Sequence, residues 1–288
     1  MTDLEPTVVD SHCHVWQRWP YEPPVPDPLD RAVAAQLIYE MDAHGVSAAT
    51  IVSANIGGND DNNAYVAEAV ADHPGRLFQL ADFDSHWSST YHVAGAARRL
   101  SDLCDQLEPV GITHYLQRED DGWFTSDEGA SVFEVATERG LLVSLAASWR
   151  WYRSLLSVSD RFPAVPIVLH HLGGLRPHEL DYPEQLEALR QLAARPNLFV
   201  KVSGWRYASS SPHEYPYPDV IDTLRFLYES FGTRLCWGSN YPVERPFTTY
   251  QQTMNLLRRH ADFITDADRS LILGGTMAQL LARYGTNE

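Results

Sequence analysis

The chain has 288 residues, of which 44% are hydrophobic and 11% aromatic, so it can build the core of one large domain. Its formal net charge of −16 argues against partners such as nucleic acid or an anionic membrane surface. The three cysteines lack the spacing of a metal or redox motif, and no signal peptide or long apolar segment is seen. We therefore expect a reduced, cytoplasmic protein.

Short apolar segments alternate with longer stretches of helical periodicity along the whole chain. We predict eight strands, at residues 8–14, 47–54, 77–83, 110–116, 141–147, 165–171, 198–203 and 234–240. Such alternation is typical of βα units around a parallel sheet, and eight units predict a single (β/α)8 barrel domain over residues 1–288. An open doubly wound sheet is the alternative, but the glycine-rich phosphate loop that usually follows its first strand is absent.

Helix boundaries agree with this scheme. Gly45 follows the first predicted helix and Gly140 follows a later one, as expected of glycine at helix ends. Thr265 with Asp268 has the form of a capping box that opens the last helix. The first helix repeats apolar side chains every four residues, at Leu29, Val33, Leu37 and Met41.

Histidines cluster at predicted strand ends, where a (β/α)8 barrel carries its active site. Because side chains alternate along a strand, His12 and His14 share one face of the first strand. The same alternation points His171 inward from the sixth strand and turns His170 outward or between strand and helix. Such histidines can be a hydrogen-bonded core pair or functional groups. We predict that His12, His14 and His171 meet in the barrel mouth.

Several landmarks occur in the order expected of one family, and they span almost the whole chain. The chain resembles the amidohydrolase-related group of the amidohydrolase superfamily, and its lactonase branch more closely than the others. The resemblance implies a (β/α)8 barrel and an enzyme that acts on a small carbonyl compound. The landmarks are the Asp10-x-His12-x-His14-x-Trp16 segment, Asn63 with Tyr65, His73 with Arg76, His171 with Gly173, Lys201 with Gly204, and Trp237 to Pro242.

The resemblance also implies roles for individual residues. His12 and His14 would contact the substrate or a metal, and His171 would polarise the reacting carbonyl or move a proton. The eighth strand would supply a general-base aspartate, but this position is Asn240. An amide neither takes a proton from water nor neutralises a metal. The sequence therefore predicts that a histidine handles the protons.

The predicted metal site is incomplete. Zinc-dependent decarboxylases of the family add a histidine at the end of the fifth strand, which here is followed by Ser148. Three neutral donors hold a divalent ion less firmly than a site that contains an anion. We expect no intrinsic cofactor. If a divalent metal such as zinc binds, His12, His14 and His171 are its predicted ligands.

Substrate binding is assigned to residues at or just beyond strand ends. A guanidinium group suits a carboxylate, and aromatic rings suit a flat ligand. Lys201 lies inside a strand, and we expect it to form a structural ion pair with Asp82 or another inward carboxylate. The candidates for substrate binding are Trp16, His114, Arg150, Arg206 and Tyr241.

Three functions are compatible with these residues. The first is hydrolysis of a lactone or a related cyclic ester or amide. The second is a non-hydrolytic reaction of specialised metabolism, such as decarboxylation, dehydration or cyclisation, for which Asn240 would be an adaptation. The third is a catalytically silent barrel that only binds a ligand. In each case the partner is a small molecule, and a homodimer is compatible with the fold.

Overall fold

The computed structural model describes residues 7–21 and 31–284. Eight parallel strands lie in sequence order, and each pairs with the next along the chain. Cys13 also pairs with Tyr241, so the sheet curls into a nearly closed barrel and confirms the predicted (β/α)8 fold. The strands are β1 (Val9–Cys13), β2 (Ala48–Val52), β3 (Leu77–Asp82), β4 (Gly111–Tyr115), β5 (Leu142–Ala146), β6 (Ile167–Leu169), β7 (Leu198–Val202) and β8 (Leu235–Trp237).

Helices separate the strands and surround the barrel. Among the residues described, no helix is long and apolar enough to cross a membrane. The helices are α1 (Ala34–His44), α2 (Asn62–Asp72), α3 (Ala96–Leu107), α4 (Asp127–Glu138), α5 (Tyr152–Arg161), α6 (Tyr182–Ala193), α7 (Trp205–Ala208), α8 (Ile221–Phe231), α9 (Tyr250–Arg259), α10 (Asp266–Ser270) and α11 (Thr276–Tyr284).

The predicted helix ends are found in the structure. Gly45 adopts a φ of 69°, and its N–H bonds to the carbonyl oxygen of Met41. The Thr265 side chain accepts a hydrogen bond from the N–H of Asp268, so the Thr265 half of the predicted capping box is confirmed. A π-helical turn, Leu271–Gly275, joins α10 to α11. Leu29, expected in the first helix, lies outside the described residues.

Apolar side chains fill the space between the barrel and its helices. Leu37 and Met41 of α1 and Leu189 of α6 are fully buried there. Removing each such side chain from water contributes roughly 1.5–3 kcal/mol to stability. The barrel interior is different, because His12, Ser144 and Lys201 are buried inside it. This polar interior lies beneath the candidate site.

The barrel closes between β1 and the segment after β8. The backbone N–H of Asn240 donates to the carbonyl oxygen of His12 at 2.8 Å. The carboxylate of Asp10 accepts hydrogen bonds from the backbone N–H of Ser239 at 2.9 Å, its hydroxyl at 2.5 Å and the Tyr250 hydroxyl at 2.9 Å. Burial raises the pKa of Asp10 to about 6. These contacts fix the His-x-His pair relative to residue 240.

Candidate active site

Four histidine rings meet at the carboxyl ends of β1 and β6. The ring centroid of His12 lies 4.9 Å from that of His14. It lies 4.6 Å from the ring of His170 and 4.5 Å from the ring of His171. The structure thus brings together the three histidines that the sequence places in the barrel mouth and adds a fourth.

Two glycines allow neighbouring backbone to approach these rings. A Cβ atom on Gly238 would lie 2.6 Å from the Cβ of His12. A Cβ atom on Gly204, which has a φ of 63°, would lie 2.5 Å from Nδ1 of His171. Neither distance leaves room for a side chain. Glycine at these two sequence landmarks therefore makes room for the histidines.

The expected position of His170, outward or between strand and helix, is wrong. Its Nε2 lies 2.7 Å from the hydroxyl oxygen of Ser144 on β5, and its ring packs edge-on against His12. The prediction extended side-chain alternation to residue 171, but β6 ends at Leu169 and His171 adopts a φ of 43°. Alternation no longer applies beyond the end of the strand.

The expected ion pair between Lys201 and Asp82 is also wrong. The carboxylate of Asp82 accepts hydrogen bonds from Asn55 and from two side chains of the following loop. Nζ of Lys201 instead donates to the hydroxyl of Ser144 at 2.7 Å and lies 3.3 Å from Nδ1 of His12. Burial lowers the pKa of Lys201 to about 7. A buried amino group therefore lies directly beneath the histidine cluster.

The two histidines of β1 are linked to each other and to β2. Nε2 of His12 lies 3.2 Å from Nε2 of His14. Nδ1 of His14 lies 2.6 Å from the carbonyl oxygen of Val52. Both nitrogens of the His14 ring are thus in hydrogen-bonding contact with protein groups.

Burial keeps the imidazoles neutral. Desolvation lowers the pKa of His14 to about 4 and lowers the pKa values of His12, His170 and His171 well below the ordinary range. The positive charge of Lys201 lowers all four further. At neutral pH each ring therefore has one N–H donor and one basic nitrogen.

Asn240 lies beside this cluster and is linked to a carboxylate that the sequence analysis missed. Its Nδ2 donates to Oε1 of Glu244 at 3.0 Å, and its side chain also hydrogen-bonds to His14. Glu244 is 4% exposed, and burial raises its pKa to about 7. Nε of Arg206 lies 3.7 Å from the same oxygen. The four-residue spacing from Asn240 is the only sequence signal that points to Glu244.

A cavity of about 360 Å³ opens beside the cluster. His170 and His171 line it, together with Arg118, Arg150 and Arg176. Histidine and arginine side chains in one cavity can bind a polar or anionic small molecule. Arg150 is thus the candidate substrate-binding residue that the structure places in this cavity.

Three other candidates for substrate binding pack behind the cluster. The Trp16 ring stacks on His14 with centroids 4.9 Å apart, and its N–H donates to a carbonyl oxygen. The guanidinium carbon of Arg206 lies 4.1 Å from the centroid of the Tyr207 ring. Tyr241 is 2% exposed and donates its hydroxyl to a backbone carbonyl. These contacts position the histidines and Asn240.

The structure does not bring His114 to the cluster. Nδ1 of His114 lies 2.8 Å from the carbonyl oxygen of Phe83, and its Nε2 lies 3.2 Å from Nε2 of His92. His92 in turn contacts the carboxylate of Asp121 at 2.6 Å. His114 therefore belongs to a second group that joins the loops after β3 and β4.

The geometry allows a divalent metal at the cluster. Ring nitrogens of His12, His170 and His171 all lie within 4.8 Å of one another. Three histidines are a known zinc ligand set. His170 takes the place that the sequence analysis gave to His14 in this set.

Two curated proteins show sequence similarity to the chain. An L-fucono-1,5-lactonase from Burkholderia ambifaria is 26% identical over 255 residues, which cover 82% of this chain and 81% of that protein. An uncharacterized protein, y4mH, from Sinorhizobium fredii is 27% identical over 150 residues. That alignment covers 49% of this chain and 46% of y4mH, so the chain matches less than half the length of this relative.

Solved structures share the fold. An amidohydrolase from Burkholderia multivorans with bound zinc has a TM-score of 0.77 and 23% identity over 96% of this chain and 99% of its own. A putative 2-pyrone-4,6-dicarboxylic acid hydrolase from Pseudomonas putida has a TM-score of 0.73 and 22% identity over 97% and 98%. A 2,6-dihydroxybenzoate decarboxylase from Rhizobium has a TM-score of 0.66 and 14% identity over 96% and 98%.

The sequence as a whole identifies the family. The amidohydrolase family matches residues 9–283, which include every strand of the barrel and the four histidines of the cluster. The chain therefore belongs to the amidohydrolase family of enzymes.

Proposed function

We propose that this amidohydrolase hydrolyses a lactone or a related cyclic ester or amide and that histidines handle the protons. The observation that carries the proposal is the cluster of neutral imidazoles beside an arginine-lined cavity, with an amide at residue 240. The similarity to an L-fucono-1,5-lactonase supports a lactone substrate.

His171 is the proposed proton carrier. It lines the cavity, and its Nδ1 lies 3.0 Å from the hydroxyl oxygen of Ser203. As water oxygen adds to the lactone carbonyl carbon, the basic nitrogen of His171 takes the water proton. The ring C–O bond then breaks, and the proton passes to the departing ring oxygen. Water and lactone are thereby converted to one hydroxy acid.

Arginine side chains of the cavity are the proposed binding groups for a charged or polar part of the substrate. Arg150 is held by ion pairs to Glu119 at 3.2 Å and Asp181 at 3.5 Å, and Arg176 is largely buried nearby. We propose that these guanidinium groups bind a carboxylate or hydroxyl groups of the substrate. Trp16, Arg206 and Tyr241 then support the site from behind.

A metal would use the same histidines. If a divalent ion binds, His12, His170 and His171 would hold it, and it would polarise the carbonyl or lower the pKa of a bound water. We propose that the enzyme works without a resident metal, because Lys201 places an amino group 3.3 Å from His12 and residue 240 supplies no anion. Elemental analysis and activity after chelator treatment test this proposal.

The test of hydrolysis is a lactone panel that includes L-fucono-1,5-lactone and 2-pyrone-4,6-dicarboxylate, with acid release followed by a pH indicator. Because burial lowers the pKa of His171 well below its ordinary value, we expect turnover that is flat through neutral pH and falls only in acid, where the imidazole becomes charged, and His171→Gln should abolish it. The exposed His178 serves as the control through His178→Gln. Full activity in His171→Gln would contradict a histidine base.

A non-hydrolytic reaction is the second candidate. Asn240 favours it, since a carboxylate that activates water would be harmful there, and the fold is shared with a decarboxylase. Release of carbon dioxide from 2,6-dihydroxybenzoate or related acids, without lactone turnover, would support it. Tight binding of a panel compound without any turnover would instead indicate a catalytically silent barrel.

The cellular setting is part of the same proposal. We infer a cytoplasmic enzyme from its three free cysteines. The net charge of −16 favours a small-molecule substrate over a nucleic acid or membrane partner. A homodimer is the proposed assembly. Light scattering on the purified chain measures its mass in solution.

A further inference from the structure

We propose that His170 is a catalytic hydrogen-bond donor whose tautomer is fixed by Lys201 through Ser144. Its Nδ1–H would bind the carbonyl oxygen of the substrate as negative charge develops there. This role rests on the proposed function, whereas the tautomer itself can be measured without any substrate.

The chain of hydrogen bonds begins at Lys201. This residue is fully buried, and its Nζ lies 2.7 Å from the hydroxyl oxygen of Ser144. Below its pKa of about 7 the side chain is an ammonium group, which has three donors and no acceptor. The oxygen of Ser144 therefore accepts this hydrogen bond, and its own proton must point elsewhere.

The second step fixes His170. The hydroxyl oxygen of Ser144 lies 2.7 Å from Nε2 of His170, and a serine hydroxyl has a single proton to donate. The serine oxygen could accept two hydrogen bonds, but its proton has no acceptor other than Nε2 of His170 among the described residues. With Lys201 as donor to the oxygen, that proton goes to Nε2, which is then the bare nitrogen of the ring. A neutral His170 consequently carries its proton on Nδ1.

The third step concerns the free donor. Nδ1 of His170 is buried and has no hydrogen-bond partner among residues 7–21 and 31–284. Leaving a buried donor unpaired costs about 1–3 kcal/mol, and a substrate oxygen would supply the missing acceptor. His170 lines the arginine-lined cavity. An N–H donor fixed before the substrate arrives is well suited to stabilise an oxyanion.

A second chain of hydrogen bonds runs from Lys201 through His12 and His14 to Val52, and its donors and acceptors are consistent along its length. Lys201 donates to Nδ1 of His12 over 3.3 Å, so the proton of the His12 ring lies on Nε2. This Nε2 lies 3.2 Å from Nε2 of His14 and donates to it. Nδ1–H of His14 then donates to the carbonyl oxygen of Val52 at 2.6 Å, and a carbonyl can only accept. Both ends of this second chain of hydrogen bonds therefore require the same proton positions.

The two chains of hydrogen bonds give the four histidines different roles. The nitrogens of His12 and His14 are engaged with one another, with Lys201, with Val52 and with Asn240. His170 and His171 are the two cluster histidines that line the cavity. His170 supplies the fixed donor, and His171 remains available to move a proton.

The test is nitrogen-15 NMR of the histidine rings in the intact, substrate-free protein, because two-bond couplings identify which ring nitrogen carries the proton. We expect His170 to be the Nδ1–H tautomer in the wild type, with its resonances assigned from a His170→Gln variant. Ser144→Ala should shift His170 to the Nε2–H tautomer or to a mixture. Lys201→Met should have the same effect.

The matched control is Ser203→Ala. Ser203 contacts Nδ1 of His171 in the same cluster, so its removal should leave the His170 tautomer unchanged. A wild-type His170 with its proton on Nε2 would overturn the proposal. So would a Ser144→Ala spectrum that is unchanged at His170, even if Lys201→Met fails to fold.

Activity supplies the second readout. With a lactone that the wild type hydrolyses, His170→Gln should lower kcat by about 10²-fold and change KM little, since the donor acts on the developing charge. Ser144→Ala should lower kcat less. An unchanged kcat in His170→Gln would refute the donor role. If the wild type hydrolyses no lactone, the proposed function fails, while the NMR result still decides the tautomer.

Discussion

The side-chain amide of Asn240 donates a hydrogen bond to the buried carboxylate of Glu244, over 3.0 Å. The amide nitrogen therefore faces Glu244, and its oxygen is left for other partners. The site consequently has a carboxylate near residue 240 after all, but one displaced by four residues along the chain. Because burial raises the pKa of Glu244 to about 7, this carboxyl group is largely protonated in weak acid.

Glu244→Gln should change how stability depends on pH. The folded pKa is raised from 4.5 to about 7, so the folded state retains a proton that the unfolded state loses in this range. The stability contribution of Glu244 is therefore full below pH 4.5 and lost as pH rises to about 7. The variant should gain stability over the wild type by up to roughly 3 kcal/mol across this window.

Denaturant unfolding at several pH values measures this difference. Glu229→Gln, on the exposed side of α8, is the control and should follow the wild type at each pH. A Glu244→Gln curve parallel to that of the wild type would show that the carboxyl group ionises normally.

Asn240→Asp should raise lactone hydrolysis if the chain is a hydrolase weakened by the amide. The new carboxyl group would lie where Nδ2 of Asn240 now donates to Glu244. We therefore also expect a loss of stability as pH rises, because both carboxyl groups ionise and repel each other. Initial rates on the lactone panel and thermal unfolding at several pH values provide the readouts. Loss of a native non-hydrolytic activity would instead favour the second candidate function.

Lys201→Met should increase zinc affinity. The amino group lies 3.3 Å from His12, and a positive charge at this distance opposes a divalent ion bound to the same ring. Removing it should tighten zinc binding by about tenfold or more. Competition with a chromophoric chelator measures the affinity, and Lys201→Arg, which keeps the charge, is the comparison. Equal affinities in wild type and Lys201→Met would refute this electrostatic effect.

Asp10→Asn should destabilise the closure of the barrel. The carboxylate accepts hydrogen bonds from Ser239 and Tyr250, and an amide has one acceptor oxygen in place of two, so the two hydroxyl groups would have to reorient. We expect a loss of roughly 2–4 kcal/mol in the free energy of unfolding. Asp42→Asn, which removes an exposed ion pair with Arg76, should cost less than about 1 kcal/mol. Similar losses in the two variants would argue against the closure role.

Local patterns were enough to predict the barrel and the position of the His-x-His pair. The alternation of apolar segments gives the eight strands, and strand parity places His12 and His14 on one face. The same alternation gave the wrong position for His170, because β6 ends at Leu169 and no local sequence signal marks that end.

The partners of Lys201 and Asn240 depend on contacts between distant parts of the chain. Lys201 meets Ser144 across the barrel, 57 residues away, so charge pairing alone suggested the wrong partner in Asp82. In the sequence, Glu244 looks like an ordinary exposed acid in a loop. In the structure, the turn after β8 buries it against Asn240. Such relationships follow from how strands are arranged in space, which the order of residues alone does not give.

Lys201 is the only lysine in the chain, and the barrel encloses it completely. Acylating reagents can modify its side chain only when the strands separate. The rate at which mass spectrometry detects a modified Lys201 peptide therefore times the opening of the barrel interior, and the native chain carries this single reporter without any engineered label.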